Sequence, residues 1–232
     1  MIEKSILYVV ATPIGNLKDI TLRALEVLRK VDVIACEDTK HTLRLLNHYE
    51  IKKHLISVHA RNEREASGKV LRLLQGGQCV AYVSDAGTPS ISDPGSFLVD
   101  EIRRNGFSIV PIPGVSAFST LLSVAGSFGK GVHFEGFLSP KTGKRRRRLE
   151  ELMTRDDAVL LYESPYRLVK LLMDINDIDN LRLLVLGKEL TKVHEKIIVA
   201  SIQYILNVFS AETEVKGEFS LLILPKSKGS SG

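Results

Sequence analysis

The residues Ser84–Gly95 read SDAGTPSISDPG and join an apolar run, Cys79–Ser84, to an amphipathic segment that begins at Pro94. A strand and a helix are usually joined by about two to six residues, so a longer loop of small residues indicates a further purpose. Small residues let a flat ligand approach the backbone closely, and Asp85 could accept hydrogen bonds from its hydroxyl or amino groups. Asp93 could simply cap the helix that Pro94 opens. We predict a ligand-binding loop at the carboxyl end of a strand, where open α/β sheets bind their ligands.

Strand and helix patterns alternate on both sides of this loop. The apolar runs Ile6–Val10 and Val31–Cys36 alternate with the amphipathic segments Ile20–Lys30 and Asn62–Gln75. This alternation is typical of an α/β protein whose mostly parallel sheets are flanked by helices. Further predicted strands are Ser108–Ile112, Val132–Phe137, Ala158–Tyr162, Leu183–Leu186 and Phe219–Leu224. Further predicted helices are Pro94–Asn105, Val115–Ala125, Lys144–Met153, Pro165–Ile175 and Ile202–Phe209.

A domain boundary is predicted in the segment Pro111–Gly114, because its two prolines and one glycine form a stiff, turning connection. The N-terminal α/β lobe is then residues 1–112, and the C-terminal α/β lobe is residues 113–226. Each lobe is expected to contain a mixed, mostly parallel sheet flanked by helices. Residues 227–232, which read SKGSSG, have the composition of a linker or an expression remnant.

Composition and charge exclude several classes of protein. Hydrophobic residues make up 44% and charged residues 25% of the chain, which is usual for a globular protein and unlike a disordered chain or a membrane span. The N-terminus lacks the features of a secretion signal, so we expect a cytoplasmic protein with no membrane partner. Cys36 and Cys79 lie in apolar runs without metal-ligand spacing, so we predict neither a disulfide framework nor a metal site. The net charge of +5 is compatible with a polyanionic partner.

Two more loops combine turn residues with small polar side chains. Ala11–Asn16 (ATPIGN) follows the first strand and lacks the glycine patterns of dinucleotide-binding and Walker-type phosphate loops. Pro113–Ala117 (PGVSA) leads into a helix, where Ser116 could either cap the helix or bind a ligand. The local residues leave a binding loop and an ordinary turn as equal alternatives in both places.

Charged residues also follow strands in the second lobe. The segments Glu135–Lys141, Tyr162–Arg167 and Gly187–Glu195 each place charges at a strand end. They could be solvated loops or structural ion pairs, but three on one sheet edge predict a wall of a cleft. The basic run Lys141–Arg148 is either a solvated start of a helix or a nucleic-acid contact, and we favour the nucleic-acid contact.

Five stretches of the chain, taken in order, resemble one enzyme family. They are Thr12–Leu17 (TPIGNL), Cys36–Thr39 (CEDT), Ser84–Gly95, Pro113–Ala117 (PGVSA) and Tyr162–Arg167 (YESPYR). Together they resemble the tetrapyrrole methylases, and in particular the branch that methylates ribose in 16S rRNA. The porphyrin enzymes of this family usually carry G-x-G-x-G-D where this chain has TPIGN, which favours the RNA branch.

The resemblance implies a two-lobed tetrapyrrole-methylase fold with S-adenosylmethionine in the cleft between the lobes, and a homodimer as the assembly. It implies methylation of the 2′-hydroxyl of a cytidine in the decoding region of 16S rRNA, with the 30S subunit as the partner. The positions that it implies for cofactor contact are Pro13, Asp85, Ala86, Gly87, Ser116, Ala117, Leu138, Tyr162 and Leu190. A methyltransferase that acts on a tetrapyrrole or a protein side chain, and a non-catalytic RNA-binding assembly factor, remain as alternatives.

Methyl transfer to ribose needs the hydroxyl held in line with the methyl group and a neighbouring group that accepts the hydroxyl proton. Candidates that follow strand ends are Glu37, Asp38, Lys188 and Glu189, although these could equally form a salt-bridge network. The residues expected to contact RNA phosphates are Arg44, Arg61, Arg64, Lys141, Arg145, Arg146, Arg147, Arg148 and Arg167. The chain has no tryptophan and 6% aromatic residues, so we expect no stacking platform for bases.

Overall fold

The computed structural model describes residues 5–226, so the predicted tail at 227–232 lies outside the described residues. The chain divides into two compact units, Met1–Ser116 and Ala117–Gly232. The predicted boundary after Ile112 differs from this division only by the connecting segment at 113–116. Each unit contains one five-stranded sheet.

The first unit is built on a parallel sheet. Its elements are β1 (Ile6–Val10), a 3-10 turn (Leu17–Asp19), α1 (Leu22–Lys30), β2 (Val33–Cys36), α2 (Thr39–His48), β3 (His54–Ser57), α3 (Glu63–Gln75), β4 (Val80–Val83), α4 (Ser96–Arg104) and β5 (Ser108–Ile112). The strand order is β3-β2-β4-β1-β5, and every pair is parallel. The carboxyl ends of parallel strands meet at one edge of the sheet, so the loops after β1, β2, β4 and β5 lie along that edge.

Apolar clusters cover both faces of this sheet, because successive residues of a strand point to opposite faces. In β2, Ile34 belongs to a cluster with Leu28 of α1, whereas Val33 belongs to a cluster with Leu74 of α3. All residues of β2 and β4 are buried. This two-sided burial explains why these strands are continuous apolar runs in the sequence.

The second unit is built on a mixed sheet. Its elements are α5 (Ala117–Ser123), β6 (Val132–Phe137), α6 (Thr142–Met153), β7 (Ala158–Glu163), α7 (Pro165–Ile178), β8 (Leu183–Lys188), β9 (Lys196–Ser201), α8 (Ile202–Ser210) and β10 (Phe219–Ile223). The strand order is β6-β7-β10-β8-β9, and β6 and β7 are parallel. The pairs of β10 with β7, β10 with β8 and β8 with β9 are antiparallel. One large apolar cluster packs α6, α7 and α8 against a single face of this sheet.

The predicted α/β class with two helix-flanked sheets is confirmed. Five of the eight strand pairs are parallel, and the three antiparallel pairs all lie in the second unit. The predicted bounds of β1, β5 and β6 agree with the structure. Within residues 5–226, no helix is long and apolar enough to span a membrane.

Four predicted helices begin later than expected: α1 at Leu22, α3 at Glu63, α4 at Ser96 and α5 at Ala117. α4 begins at Ser96 and not at Pro94, because Gly95 has φ of 125°, which a helix cannot contain. α5 begins at Ala117, so Val115 and Ser116 remain in the segment that precedes the helix.

Three elements had no assignment in the sequence analysis, namely α2, β3 and β9. β3 and β9 are edge strands with mostly half-buried or exposed residues, so their apolar signal is weak. The first residue of α2, Thr39, is the last residue of the CEDT motif, and Asp38 of the same motif is the N-cap residue of the helix.

Candidate functional site

The loops after β1 and β4 in the first unit are joined by backbone hydrogen bonds. The amide of Thr12 donates to Gly87 O at 2.9 Å, and the amide of Gly87 donates to Thr12 O at 3.0 Å. The Thr12 hydroxyl also donates to Ser84 O at 3.3 Å. Because β1 and β4 are neighbours in a parallel sheet, their following loops can pair in this way and become rigid together.

The segment before α5 closes against the same loops. The Thr88 hydroxyl donates to Val115 O at 3.2 Å. Gly87 has φ of 77°, and a Cβ atom there would lie 3.2 Å from Ile14 Cγ2. A Cβ atom on Gly114 would lie 2.9 Å from Ala11 Cβ. Glycine is therefore required at both positions for the loops to approach so closely.

The first unit thus brings together five of the positions expected to contact the cofactor. They are Pro13, Asp85, Ala86, Gly87 and Ser116. Pro13, Gly87 and Ser116 are buried, Asp85 is half-buried, and Ala86 is exposed. The carboxylate of Asp85 faces the loop after β2, because Asp85 Oδ1 accepts a hydrogen bond from the Asp38 amide at 3.0 Å.

The far end of the Ser84–Gly95 loop is held by a residue that the sequence analysis did not single out. Glu63, the first residue of α3, accepts hydrogen bonds at Oε1 from the Gly95 amide at 2.9 Å and the Leu98 amide at 3.2 Å. Gly95 is the N-cap residue of α4 and has no side chain to accept such bonds. The expectation that Asp93 caps this helix is therefore wrong, because Glu63 supplies the acceptor from a neighbouring helix.

Two acidic residues follow β2, and the structure gives them different surroundings. Asp38 is the N-cap residue of α2, and its Oδ1 accepts from the amides of Lys40 at 2.7 Å and His41 at 3.3 Å. These amides lower the pKa of Asp38, which keeps it ionised. Burial and the nearby charge of Asp85 instead raise the pKa of Glu37. Glu37 is therefore the better proton acceptor of the two, since a general base works best when its pKa is close to the operating pH.

A further carboxyl group, that of Asp93, belongs to the same acidic cluster. Burial and the charge of Glu37 raise the pKa of Asp93 to about 6. The hydroxyl of Tyr82 is buried and has no hydrogen-bond partner among the described residues. Burial and the charge of Glu37 also raise the pKa of Tyr82. No group of His, Cys, Asp and Glu side chains in residues 5–226 has the geometry to hold a metal ion.

In the second unit, the residues expected to contact the cofactor are Leu138 after β6, Tyr162 near the end of β7, Leu190 after β8, and Ala117. Leu138 and Leu190 are buried, and the Tyr162 ring makes edge contacts with Phe134 at 5.2 Å and Phe137 at 5.7 Å between ring centroids. Ala117 is the first residue of α5.

Arg167 contacts residues at the ends of β6 and β7. Its guanidinium lies 2.7 Å from Glu163 Oε1 and donates to Leu138 O at 3.3 Å. Glu163 is buried and also accepts from the Ser164 amide at 2.7 Å. Arg167 therefore joins the start of α7 to the segment after β6, a structural role that the prediction of a phosphate contact did not include.

Lys188 and Glu189 are both engaged with neighbouring side chains. Burial alone would raise the pKa of Glu189, but hydrogen bonds from the Lys192 ammonium and the Glu218 amide lower it. The distances from Glu189 Oε1 to these two donors are 2.8 and 2.9 Å. Lys188 Nζ lies 3.7 Å from Glu212 and 5.7 Å from the centroid of the Phe209 ring. These ion pairs and hydrogen bonds all lie within the second unit.

The basic run in α6 is mostly paired within the second unit. Arg145 is 3% exposed, and its Nε donates to Asp174 at 2.6 Å. This burial corrects the expectation that Arg145 contacts RNA, because phosphates cannot reach it. Arg146 pairs with Asp174 and Asp177, and Arg148 pairs with Glu135 and Glu151. Arg147 is exposed and has no ion-pair partner among the described residues.

The remaining positions expected to contact phosphates are on the surface of their units. The exposed side chains are those of Arg44, Arg61, Arg64 and Lys141. Arg64 lies over the ring of Phe97, at 5.1 Å from the ring centroid.

Comparisons with known proteins agree on the family of this chain. The family of Tetrapyrrole (Corrin/Porphyrin) Methylases matches residues 6–205. A protein named ribosomal RNA small subunit methyltransferase I from Borrelia garinii subsp. bavariensis is 46% identical, over 94% of this chain and 97% of its own. A protein of the same name from Mycoplasmopsis pulmonis is 44% identical, over 95% of this chain and 98% of its own.

Solved structures share the fold at low sequence identity. Diphthine synthase has a TM-score of 0.71 and 15% identity, covering 96% of this chain and 90% of its own. The cobalt precorrin-4 methyltransferase of cobalamin biosynthesis has a TM-score of 0.68 and 17% identity, covering 96% of each chain. At such identity these likenesses show the fold alone.

Proposed function

This chain belongs to the tetrapyrrole methylase family, whose methyl donor is S-adenosylmethionine, and we propose that it methylates the 2′-hydroxyl of a cytidine in the decoding region of 16S rRNA. The name of its relatives supports ribosomal RNA as the substrate. The structural observation that carries the proposal is the set of hydrogen bonds that joins the loops after β1, β2 and β4 into one rigid edge.

The residues at this edge fit the chemistry of the methyl donor. When bound, S-adenosylmethionine supplies a methyl group on a positively charged sulfur. We assign its contacts in the first unit to Pro13, Asp85, Ala86, Gly87 and Ser116, and in the second unit to Ala117, Leu138, Tyr162 and Leu190. The Asp85 carboxylate suits ammonium or hydroxyl groups, and the small residues expose their backbone. In the second unit, the buried Thr191 hydroxyl beside Leu190 has no partner among the described residues and suits a polar group of a ligand.

We assign proton transfer to Glu37. A ribose hydroxyl is a weak nucleophile, so a base that removes its proton during attack accelerates the reaction by about 10²- to 10⁴-fold. Asp38 is the N-cap residue of α2, and Glu189 accepts from Lys192 and Glu218. Lys188 contacts Glu212. Of the three carboxylates among the candidates, Glu37 is the one whose pKa is raised.

The surface proposed to contact RNA is smaller than the sequence indicates. We assign phosphate contacts to Arg44, Arg61, Arg64, Lys141 and Arg147, all of which are exposed. Such contacts give affinity without sequence selectivity. The target nucleotide is therefore selected by the shape of the rRNA, and we propose the 30S subunit as the form of the substrate. A ribosomal substrate places the protein in the cytoplasm.

A homodimer is supported by an apolar area on the second sheet. Leu183 and Val199 are 49% and 60% exposed, on the face opposite to the residues that pack against α6, α7 and α8. β9 is also an edge strand, and such edges readily pair with another chain. Sedimentation equilibrium tests the dimer, and a mass of one chain at all concentrations would contradict it.

The central experiment incubates the protein with labelled S-adenosylmethionine and undermethylated 30S subunits, followed by nuclease mapping of the label. We expect label on the ribose of one cytidine of 16S rRNA, and less label on free 16S rRNA because the folded subunit is the preferred shape. A folded protein that binds the cofactor and leaves rRNA unlabelled would refute the proposed substrate. Absence of any cofactor binding would instead support the non-catalytic alternative.

A further inference from the structure

The first unit has an open concavity of about 370 Å³ at the start of α3. The residues that line it are Ala60, Arg61, Asn62, Glu63, Arg64, Glu65 and Phe97. Its volume is within the range of about 300 to 1,000 Å³ that small-molecule sites occupy. A single nucleotide is a ligand of suitable size for it.

The two arginines are the charged side chains of this concavity that have no ion-pair or hydrogen-bond partner among the described residues. Glu63 is engaged with the amides at the start of α4, and Glu65 forms an ion pair with Lys69 at 2.8 Å. Arg61 and Arg64 are exposed and have no ion-pair partner among the described residues. The guanidinium groups of Arg61 and Arg64 are therefore the donors that remain free for an anionic ligand, because the two glutamates already have partners.

Arg64 has a second property that a phosphate contact does not need. Its guanidinium carbon lies over the Phe97 ring, 5.1 Å from the ring centroid, a distance typical of a cation–π contact. The Arg64 side chain is also exposed and therefore accessible to a ligand. Unpaired RNA bases stack on aromatic rings and on guanidinium planes. A base could therefore pack against the Arg64 guanidinium beside Phe97.

The backbone that carries these side chains is rigid. The His59 amide donates to Asn62 Oδ1 at 2.8 Å, and Asn62 Nδ2 donates to Ser57 O at 3.1 Å. The Arg61 amide donates to His59 Nδ1 at 3.2 Å. Together with the bonds from Glu63 to α4, these contacts hold Arg61, Arg64 and Phe97 in place before a ligand arrives, which lowers the entropy cost of binding.

We propose that this concavity binds one unpaired nucleotide of the RNA, with the base stacked on the Arg64 guanidinium and the phosphate beside Arg61. The inference rests on the proposed function, since it names the part of the molecule that holds the RNA. It also revises the expectation that stacking plays no part. The same Glu63 carboxylate that holds the Ser84–Gly95 loop lies in the wall of this concavity.

The test measures binding of a short fluorescent single-stranded RNA by anisotropy, with native protein and single variants. Stacking of one base is worth about 1–3 kcal/mol, so we expect R64A and F97A to weaken binding about tenfold. R64K keeps the charge and loses the planar stack, so we also expect it to weaken binding. R104K, at an exposed arginine that does not line the concavity, is the matched control and should bind as native protein does. F97L, which keeps the apolar volume, shows whether any loss in F97A reflects folding.

A second probe replaces one nucleotide of the same RNA by an abasic nucleotide. We expect the native protein to bind it more weakly, and R64K to bind both RNAs equally. Native affinity in R64K, or equal binding of both RNAs by the native protein, would overturn the stacking site and leave the methylation proposal intact. If the native protein binds neither RNA nor 30S subunits, the proposed function itself fails. Calorimetric titration with S-adenosylmethionine should give the native affinity for R64K, since Arg64 is not among the cofactor contacts.

Discussion

The carboxylate of Glu63 accepts a hydrogen bond from the amide of Gly95 at 2.9 Å and so joins the start of α3 to the cap of α4. Gly95 cannot carry a side chain, because a Cβ atom there would lie 2.4 Å from Tyr82 Cε1. The helix therefore depends on another segment for the acceptor that a serine or aspartate usually provides at this position.

Removal of this acceptor should lower the stability of the first unit. We expect E63A to reduce the free energy of unfolding by about 1–2 kcal/mol, the usual cost of a lost cap, and E63Q to reduce it less because an amide oxygen still accepts. Chemical denaturation measures the difference. Glu65 is the matched control, since it is exposed and its partner Lys69 is also exposed, so E65A should unfold as native protein does. Equal stability of E63A and E65A would contradict the capping role.

Alanine should be poorly tolerated at Gly87. A comparison with alanine at Gly77 separates the effect of the Cβ contact from the effect of positive φ. Gly87 and Gly77 have φ of 77° and 87°, so alanine at either position costs about 1–3 kcal/mol of backbone strain. A Cβ atom on Gly87 would also lie 3.2 Å from Ile14 Cγ2, whereas one on Gly77 would meet no atom within 4 Å. We expect both variants to be less stable but only G87A to lose affinity for S-adenosylmethionine in a calorimetric titration. Native cofactor affinity in G87A would remove this loop from the proposed site.

Asp93 should make the stability of the protein depend on pH below neutrality. Its pKa is raised to about 6 in the folded state by burial and by the charge of Glu37. The folded state therefore binds the proton more tightly than the unfolded state, and stability is lost as pH rises from about 4 through about 6. A difference of about two pKa units corresponds to about 2–3 kcal/mol. We expect D93N to abolish this loss and to be more stable than native protein at pH 7 in urea unfolding. An unchanged pH profile in D93N would assign the loss to other groups.

Glu37 and Asp38 form a matched pair for the assignment of the base. We expect E37Q to lower kcat by about 10²- to 10⁴-fold with little change in cofactor affinity, because the amide cannot accept the hydroxyl proton. D38N should keep near-native activity, since asparagine caps a helix as well as aspartate does. Single-turnover methylation of 30S subunits measures both. The native rate should also fall as Glu37 becomes protonated at low pH, and this fall should be absent in E37Q. A larger loss in D38N than in E37Q would reverse the assignment.

Substitution of Arg145 and of Arg147 in α6 should affect different properties, namely stability for Arg145 and RNA binding for Arg147. R145A removes one partner of a buried ion pair with Asp174, and breaking such a pair typically costs about 3–5 kcal/mol of stability. R147A should leave the unfolding free energy unchanged. It should weaken RNA binding and reduce the slope of log affinity against log salt by about one, because one phosphate contact is lost. Loss of RNA affinity at native stability in R145A would show that Arg145 reaches the RNA after all.

The sequence by itself determined the fold class and the place of the main loops. The fully buried strands β2 and β4 are visible as apolar runs because both of their faces are covered by helices. The turn residues of Ser84–Gly95 follow β4 directly, and parallel strands bring such loops to one edge of the sheet. Local physics thus indicated the Ser84–Gly95 loop as a binding loop, whereas the family resemblance grouped Asp85 and Gly87 with the loop that contains Thr12.

Only the tertiary structure decided which charged side chains are available to a partner. In the sequence, Arg145 and Arg147 belong to one basic run, yet Arg145 is buried against Asp174 of α7 and Arg147 is exposed. The capping role of Glu63 is also invisible in the local sequence, because its carboxylate accepts hydrogen bonds from amides more than thirty residues away. Burial and pairing depend on which helices pack together, and no local pattern contains that information. For this reason the sequence predicts where a ligand binds, while the packing decides which residues can bind it.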